Sequence, residues 1–196
     1  MNTLSSTTKS RKISVIAIFA SMAIASAYAS SMIPNVELMS FMVFVAGYIY
    51  GSYVGTLVGL IAMGIYGMWN PWGGAVPPIF IAQVGCMALI GAVGGIANKV
   101  LNTPDSNSEK ALGAAALGGV LTIIYDLITN YAYAVAFGLA QQFVLVLIAG
   151  AWFSLIHVIS NTIIFGILLA PVSRTLKNTL GLDNGTVREN KWRDEY

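Results

Sequence analysis

Ile123–Ala140 reads IIYDLITNYAYAVAFGLA, and Phe143–Gly166 reads FVLVLIAGAWFSLIHVISNTIIFG; only Gln141 and Gln142 lie between them. Both are long apolar segments, and each carries a polar pair four residues apart: Asp126 with Asn130, and His157 with Asn161. Four residues is about one helical turn, so each pair lies on one helix face. An antiparallel hairpin across a bilayer brings Asp126 and His157 level near the midplane, with Asn130 and Asn161 on opposite sides of that level. An Asp at mid-depth costs roughly 2.5–3.5 kcal/mol on insertion scales, so such residues face protein or water and mark function. An Asp–His pair that locks two helices is the plainer alternative.

Composition points the same way. Of 196 residues, 57% are hydrophobic and 9% charged, with mean hydropathy +0.75. Such sparse charge belongs to a membrane-embedded protein. The single cysteine, Cys86, excludes an internal disulfide, a cysteine zinc cluster and an iron–sulfur site, and the single histidine argues against a multi-histidine metal site. No polar stretch is long enough for an accompanying soluble domain. No cofactor is expected.

The expected organisation is a loose cytoplasmic N-terminus over 1–10, a six-helix transmembrane domain over 11–172 and a cytoplasmic tail over 173–196. The first apolar run, from Ile13 to about Ile33, follows Lys9, Arg11 and Lys12. It imitates a signal peptide, but about 20 apolar residues suffice to cross, so an uncleaved span is expected. The runs Leu38–Tyr50 and Tyr53–Met68 meet at Gly51 and Ser52, and each is close to or below the lower limit of ~17 residues for a span. One long helix is the competing reading; two tight helices, with Gly47, Gly51, Gly55 and Gly59 at their contact, are favoured. Met68–Pro78 reads MWNPWGGAVPP and cannot continue a helix. A fourth span follows from Pro78 to Ala97, a fifth over about Ala111–Gly138, and a sixth over about Phe143–Ala170, stopped by Pro171.

The basic residues decide the count. Every Lys and Arg lies in the N-terminus, the segment Asn98–Lys110 or the tail from Arg174. Six helices put all three on one side, and excess Lys/Arg marks the cytoplasmic side, so both termini are expected inside. The breaks at Pro34–Glu37, Trp69–Pro78 and Gln141–Gln142 then lie outside.

The outer breaks and outer helix halves hold neutral hydrogen-bonders and aromatics suited to a small, partly aromatic ligand. The candidate binding residues are Asn35, Glu37, Trp69, Asn70, Trp72, Gln83, Asp126, Asn130, Tyr133, Trp152 and His157. Trp69 and Trp72 serve equally as interfacial anchors or as a lid of flat faces. No GxSxG, HExxH or Walker A sequence is present, and Asp126 with His157 has no nucleophile at a distinctive spacing. A proton relay through Asp126 and His157, in a stand-alone permease, is the alternative function.

The first span carries small residues at four-residue spacing, Ala17, Ser21, Ala25 and Ala29, with a second stripe at Ala23 and Ala27. Such stripes let another helix approach closely. With these features in place, the chain resembles the substrate-binding S components of energy-coupling factor (ECF) transporters, which take up vitamins in prokaryotes. The resemblance covers about Arg11 to Arg174. It rests on the basic start before the Ala-rich helix, the short break at Ile33–Glu37, the Gly-rich hairpin over Gly47–Gly67 and the NPWGG…PP loop leading to Gln83. YDLITN at Tyr125–Asn130 and HVISNTIIFGILLAP at His157–Pro171 are the more specific parts. The resemblance implies an all-α bundle of six helices in the cell membrane and a ligand site capped by Met32–Glu37 and Met68–Pro78. It implies no chemistry by the protein itself. It further implies that the first-helix stripe, here Ala17, Ser21 and Ala25, docks a transmembrane coupling subunit served by two ATPases. The absence of an outer Lys or Arg speaks against a strongly anionic ligand, and the loop tryptophans favour a flat ring system.

Overall fold

The computed structural model describes residues 3–101 and 106–179. Six α-helices follow in order: α1 Thr3–Ser30, α2 Met39–Tyr50, α3 Ser52–Met68, α4 Pro77–Leu101, α5 Asn107–Ala136 and α6 Phe143–Thr179, with a single 3-10 turn at Ala140–Gln142. No strand occurs among the described residues. Four helices are long and apolar enough to cross a membrane, while α2 and α3 are shorter. This is an all-α, multi-pass membrane protein.

The Gly51 reading holds: it sits at φ 92°, outside the range open to most side chains, and separates α2 from α3. Close approach explains the neighbouring glycines. A Cβ on Gly91 would strike the Gly55 carbonyl, and one on Gly47 would strike the Gly91 carbonyl, so α2, α3 and α4 meet backbone to backbone.

Helix α2 is the centre of the bundle. Nine of its twelve residues are buried, and it packs on α1, α3, α4 and α6. Twelve residues rise only about 18 Å, against a hydrocarbon core of about 30 Å. The segment 31–38 therefore descends to meet it. Along α6 the buried residues are His157, Asn161, Phe165, Leu169 and Ser173, a strict four-residue stripe. Phe165 meets Phe41 and Phe44 with ring centroids 5.4 and 5.0 Å apart, so α6 descends alongside α2.

Four boundaries differ from expectation, one of them the start of α5, at Asn107 rather than about Ala111. Helix α1 starts at Thr3 and takes in the Ser/Thr-rich start left outside the first span. Helix α4 runs on to Leu101, with Asn98 buried and Lys99 in its last turn. Helix α6 passes through Pro171 to Thr179. Proline removes one intrahelical bond and crowds the preceding turn, but here packing holds both sides. Leu169 and Ser173 are buried, and Lys177 lies over the Tyr48 ring at 5.6 Å. Tail residues 180–196, with Arg188, Lys191 and Arg193, lie outside the described residues.

Lys9, Arg11, Lys12, Lys99, Lys110, Arg174 and Lys177 all fall at one end, where α1 starts and α6 finishes. The opposite end carries the segments 31–38, 69–76 and 137–142, and neither tryptophan-loop nor flanking turn there contains a Lys or Arg.

Candidate functional site

Helices α5 and α6 pack together over much of their length, joined by two polar rungs one turn apart. In the upper rung His157 Nδ1 lies 2.8 Å from Asp126 Oδ1. In the lower rung Asn161 Nδ2 donates to Thr122 Oγ1 at 2.9 Å. The four-residue spacings on both helices produce this ladder directly, because 122/126 and 157/161 each repeat on one face.

The third member comes from the descending segment. Glu37 Oε2 stands 3.6 Å from His157 Nε2, so the imidazole lies between two carboxylates. The segment is held at this depth by Ser160, whose hydroxyl donates to the Asn35 carbonyl at 2.9 Å. Asn35 itself has φ 57°, a left-handed conformation that asparagine tolerates better than most residues. Tyr125 meets the His157 ring edge-on, 5.9 Å between centroids at 87°, and the Gln83 side chain approaches it. Gln83 from α4, Tyr125 and Asp126 from α5, His157 from α6 and Glu37 ahead of α2 thus converge. Among the described residues no group of three or more His, Cys, Asp or Glu side chains is arranged to hold a metal ion. The two carboxylates approach opposite nitrogens of one ring.

The other candidates sit further out. Asn130 Nδ2 donates to the Asp126 carbonyl of its own helix at 2.7 Å, and its Oδ1 faces Gly150 of α6. Asn70 Oδ1 accepts from the Trp72 N–H at 2.9 Å, and its carbonyl accepts from Gly73 N–H, so its groups shape the loop. Trp69 and Trp72 are exposed; the Trp69 carbonyl accepts from the Tyr28 hydroxyl. Tyr133 is exposed and packs on Phe137. Trp152 is also exposed. It lies five residues before His157, well round the helix from the buried stripe of α6. The structure therefore gathers Glu37, Gln83, Asp126 and His157, with Asn35 and Asn130 adjoining, and leaves Trp69, Asn70, Trp72, Tyr133 and Trp152 outside that cluster.

Tyr125, Thr122, Ser160 and Ser40 were missed by sequence reasoning. Thr122 was accessible from its spacing, four residues before Asp126. Nothing local marks Tyr125 or Ser160, whose roles arise from packing across helices. At the opposite, basic end a cavity of ≈ 150 Å³ is lined by Tyr48, Lys110, Ser173, Arg174 and Lys177 among others; it is separate from the Asp126 cluster.

The chain is thus a membrane-embedded helical bundle with ionisable groups gathered inside it. The model of the ECF transporter substrate-specific component family matches residues 11–172, and the chain belongs to that family. Comparison with curated proteins and with solved structures gives no match.

Proposed function

We propose that this substrate-specific component captures a vitamin or related micronutrient with high affinity from the outer side. It hands the ligand to a transmembrane coupling subunit served by two ATPases, together forming an ABC-type importer. The single observation that carries this reading is the Glu37–His157–Asp126 cluster. It joins the segment after α1 to α5 and α6, with side-chain exposures of 23% for Glu37, 10% for His157 and 14% for Asp126. Asn35, Gln83, Asn130 and Tyr133 extend the ligand-contacting set. Trp69, Asn70 and Trp72 complete it once the loop closes over the ligand, and Trp152 of α6 is the remaining member of the proposed set. In this reading both termini are cytoplasmic, by the positive-inside rule.

The docking face is the stripe Ala17, Ser21 and Ala25. All three are exposed, while Ala20, Ala23 and Ala27 of the same helix are buried inside the bundle. An outward row of small side chains with no intramolecular duty suits the close approach of a partner helix.

Purification followed by mass spectrometry of bound small molecules tests the reading, with direct titration across the vitamins as its second arm. A co-purified micronutrient is the expected result, and empty outcomes in both arms overturn it. The 2.8 Å contact between Asp126 and His157 favours one further reading, a stand-alone proton-coupled permease. Reconstituted protein alone would then show substrate flux driven by a pH gradient, and absence of that flux removes it.

A further inference from the structure

The two carboxylates of the Glu37–His157–Asp126 cluster present more acceptors than its imidazole supplies donors for. An imidazole offers at most two N–H groups, while Glu37 and Asp126 present four carboxylate oxygens. In the structure Asp126 Oδ1 and Glu37 Oε2 face His157, and Asp126 Oδ2 and Glu37 Oε1 are buried without a partner. Two further buried side-chain atoms share that condition among the described residues, Ser40 Oγ and Asn161 Oδ1. Ser40 and Asn161 are 4% and 1% exposed. Ser40 lies in the first turn of α2, three residues after Glu37, and Asn161 one turn past His157 on the buried stripe of α6. Glu37 Oε1 and Asp126 Oδ2 belong to the two carboxylates that flank His157, and each can accept a hydrogen bond. Native proteins pair most buried polar groups, so such a concentration needs an explanation in function.

Charge sharpens the point. One histidine can compensate only one of the two carboxylates when both are ionised. Every described Lys and Arg lies at the other end of the molecule. A buried uncompensated carboxylate is strongly disfavoured. Both side chains border the surface, Glu37 and Asp126 keeping 23% and 14% of their side-chain area.

We propose that the ligand is an organic cation that presents N–H donors, a protonated amine or an amino-bearing nitrogen heterocycle, seated against Glu37 Oε1 and Asp126 Oδ2. The inference rests on the substrate-binding role described above and specifies its chemistry. Carboxylate- and phosphate-bearing ligands are disfavoured by the same charge.

The test uses the full chain purified in detergent and three ring-matched probes, pyridoxamine, pyridoxine and 4-pyridoxate, at millimolar concentration. They place an ammonium, a hydroxyl and a carboxylate on one ring. Pyridoxamine is expected to raise the melting temperature most and 4-pyridoxate least. Glu37→Gln and Asp126→Asn are each expected to weaken apparent pyridoxamine affinity about 30-fold, as for truncating one partner of a buried charge pair. Glu109→Gln, which removes a carboxylate at the basic end, leaves it unchanged. The ranking on the unaltered chain needs no variant, so a misfolded variant does not spare the proposal. Equal stabilisation by all three probes, preference for the carboxylate, or no response to pyridoxamine overturns it. So does a co-purified ligand without a cationic nitrogen, an outcome that leaves the substrate-binding role standing. No co-purified ligand and no response to any vitamin removes both.

Discussion

His157 is the residue on which the interior polar chemistry turns. It lies between Asp126 and Glu37, and its removal leaves two carboxylates facing each other with no shared donor. His157→Ala is expected to destabilise the protein by about 3–5 kcal/mol, the range for stripping one partner from a buried ionic group. Adding Glu37→Gln and Asp126→Asn should restore most of the loss, because the amides carry no charge. Thermal unfolding in detergent reads both, and equal melting temperatures for the single and triple variants would contradict the pairing. Asn35 makes a second residue-level case. Its φ of 57° suits glycine and penalises a Cβ, so Asn35→Gly should be near neutral, while Asn35→Ala should cost about 1–2 kcal/mol. Hydrogen exchange across 35–38 measures it, with faster exchange expected in the alanine variant only. Asp126 and His157 could be paired from sequence because depth and helical period fixed them. Glu37 was singled out from its place in a break, but its contact with His157 was not foreseeable. That contact depends on how far the segment 31–38 sinks, which follows from the shortness of α2.

At the scale of the elements, the glycine contact between α3 and α4 governs how closely the bundle can pack. Gly91→Ala pushes a methyl into the Gly55 backbone and should cost about 1–3 kcal/mol, as overpacking does. Gly85, on the same helix, has open space where its Cβ would be. Gly85→Ala should be neutral or stabilising by up to about 1 kcal/mol, from helix propensity and reduced unfolded-state freedom. Opposite signs in melting temperature for these two substitutions on one helix are the expected outcome. Most helices were legible from runs of apolar residues and from the Pro/Gly breaks. The end of α6 was not, because Pro171 is a sound stop signal locally and is overruled only by the packing of Leu169, Ser173 and Lys177.

For the molecule as a whole, one asymmetry dominates: cations at one end, aromatic loops at the other. The orientation that follows can be read with thiols. Cys86 is 5% exposed, so an impermeant maleimide reports introduced cysteines. Val76→Cys should react in intact cells and Glu109→Cys only after permeabilisation; the reverse pattern contradicts cytoplasmic termini. The outward stripe of α1 gives a further prediction. Ser21→Leu with Ala25→Leu should leave ligand binding unchanged and lower uptake by the assembled importer at least tenfold. Equal loss of binding and uptake would place the stripe inside the fold instead. The span count, the basic end and the stripe were all legible, since each depends on composition along the chain. The convergence of Gln83, Tyr125 and Glu37 around His157 was not, because it depends on which helices become neighbours.

The Tyr28 hydroxyl reaches across to the Trp69 carbonyl, and its ring packs edge-on against Tyr66, 5.4 Å between centroids. The helix that bears the outward stripe is thereby tethered to the tryptophan-bearing loop. Under the proposed function that loop is the doorway, so a tilt imposed on the helix from its far face would tug it, and a guest that rearranges it would lean back on the helix by the same link.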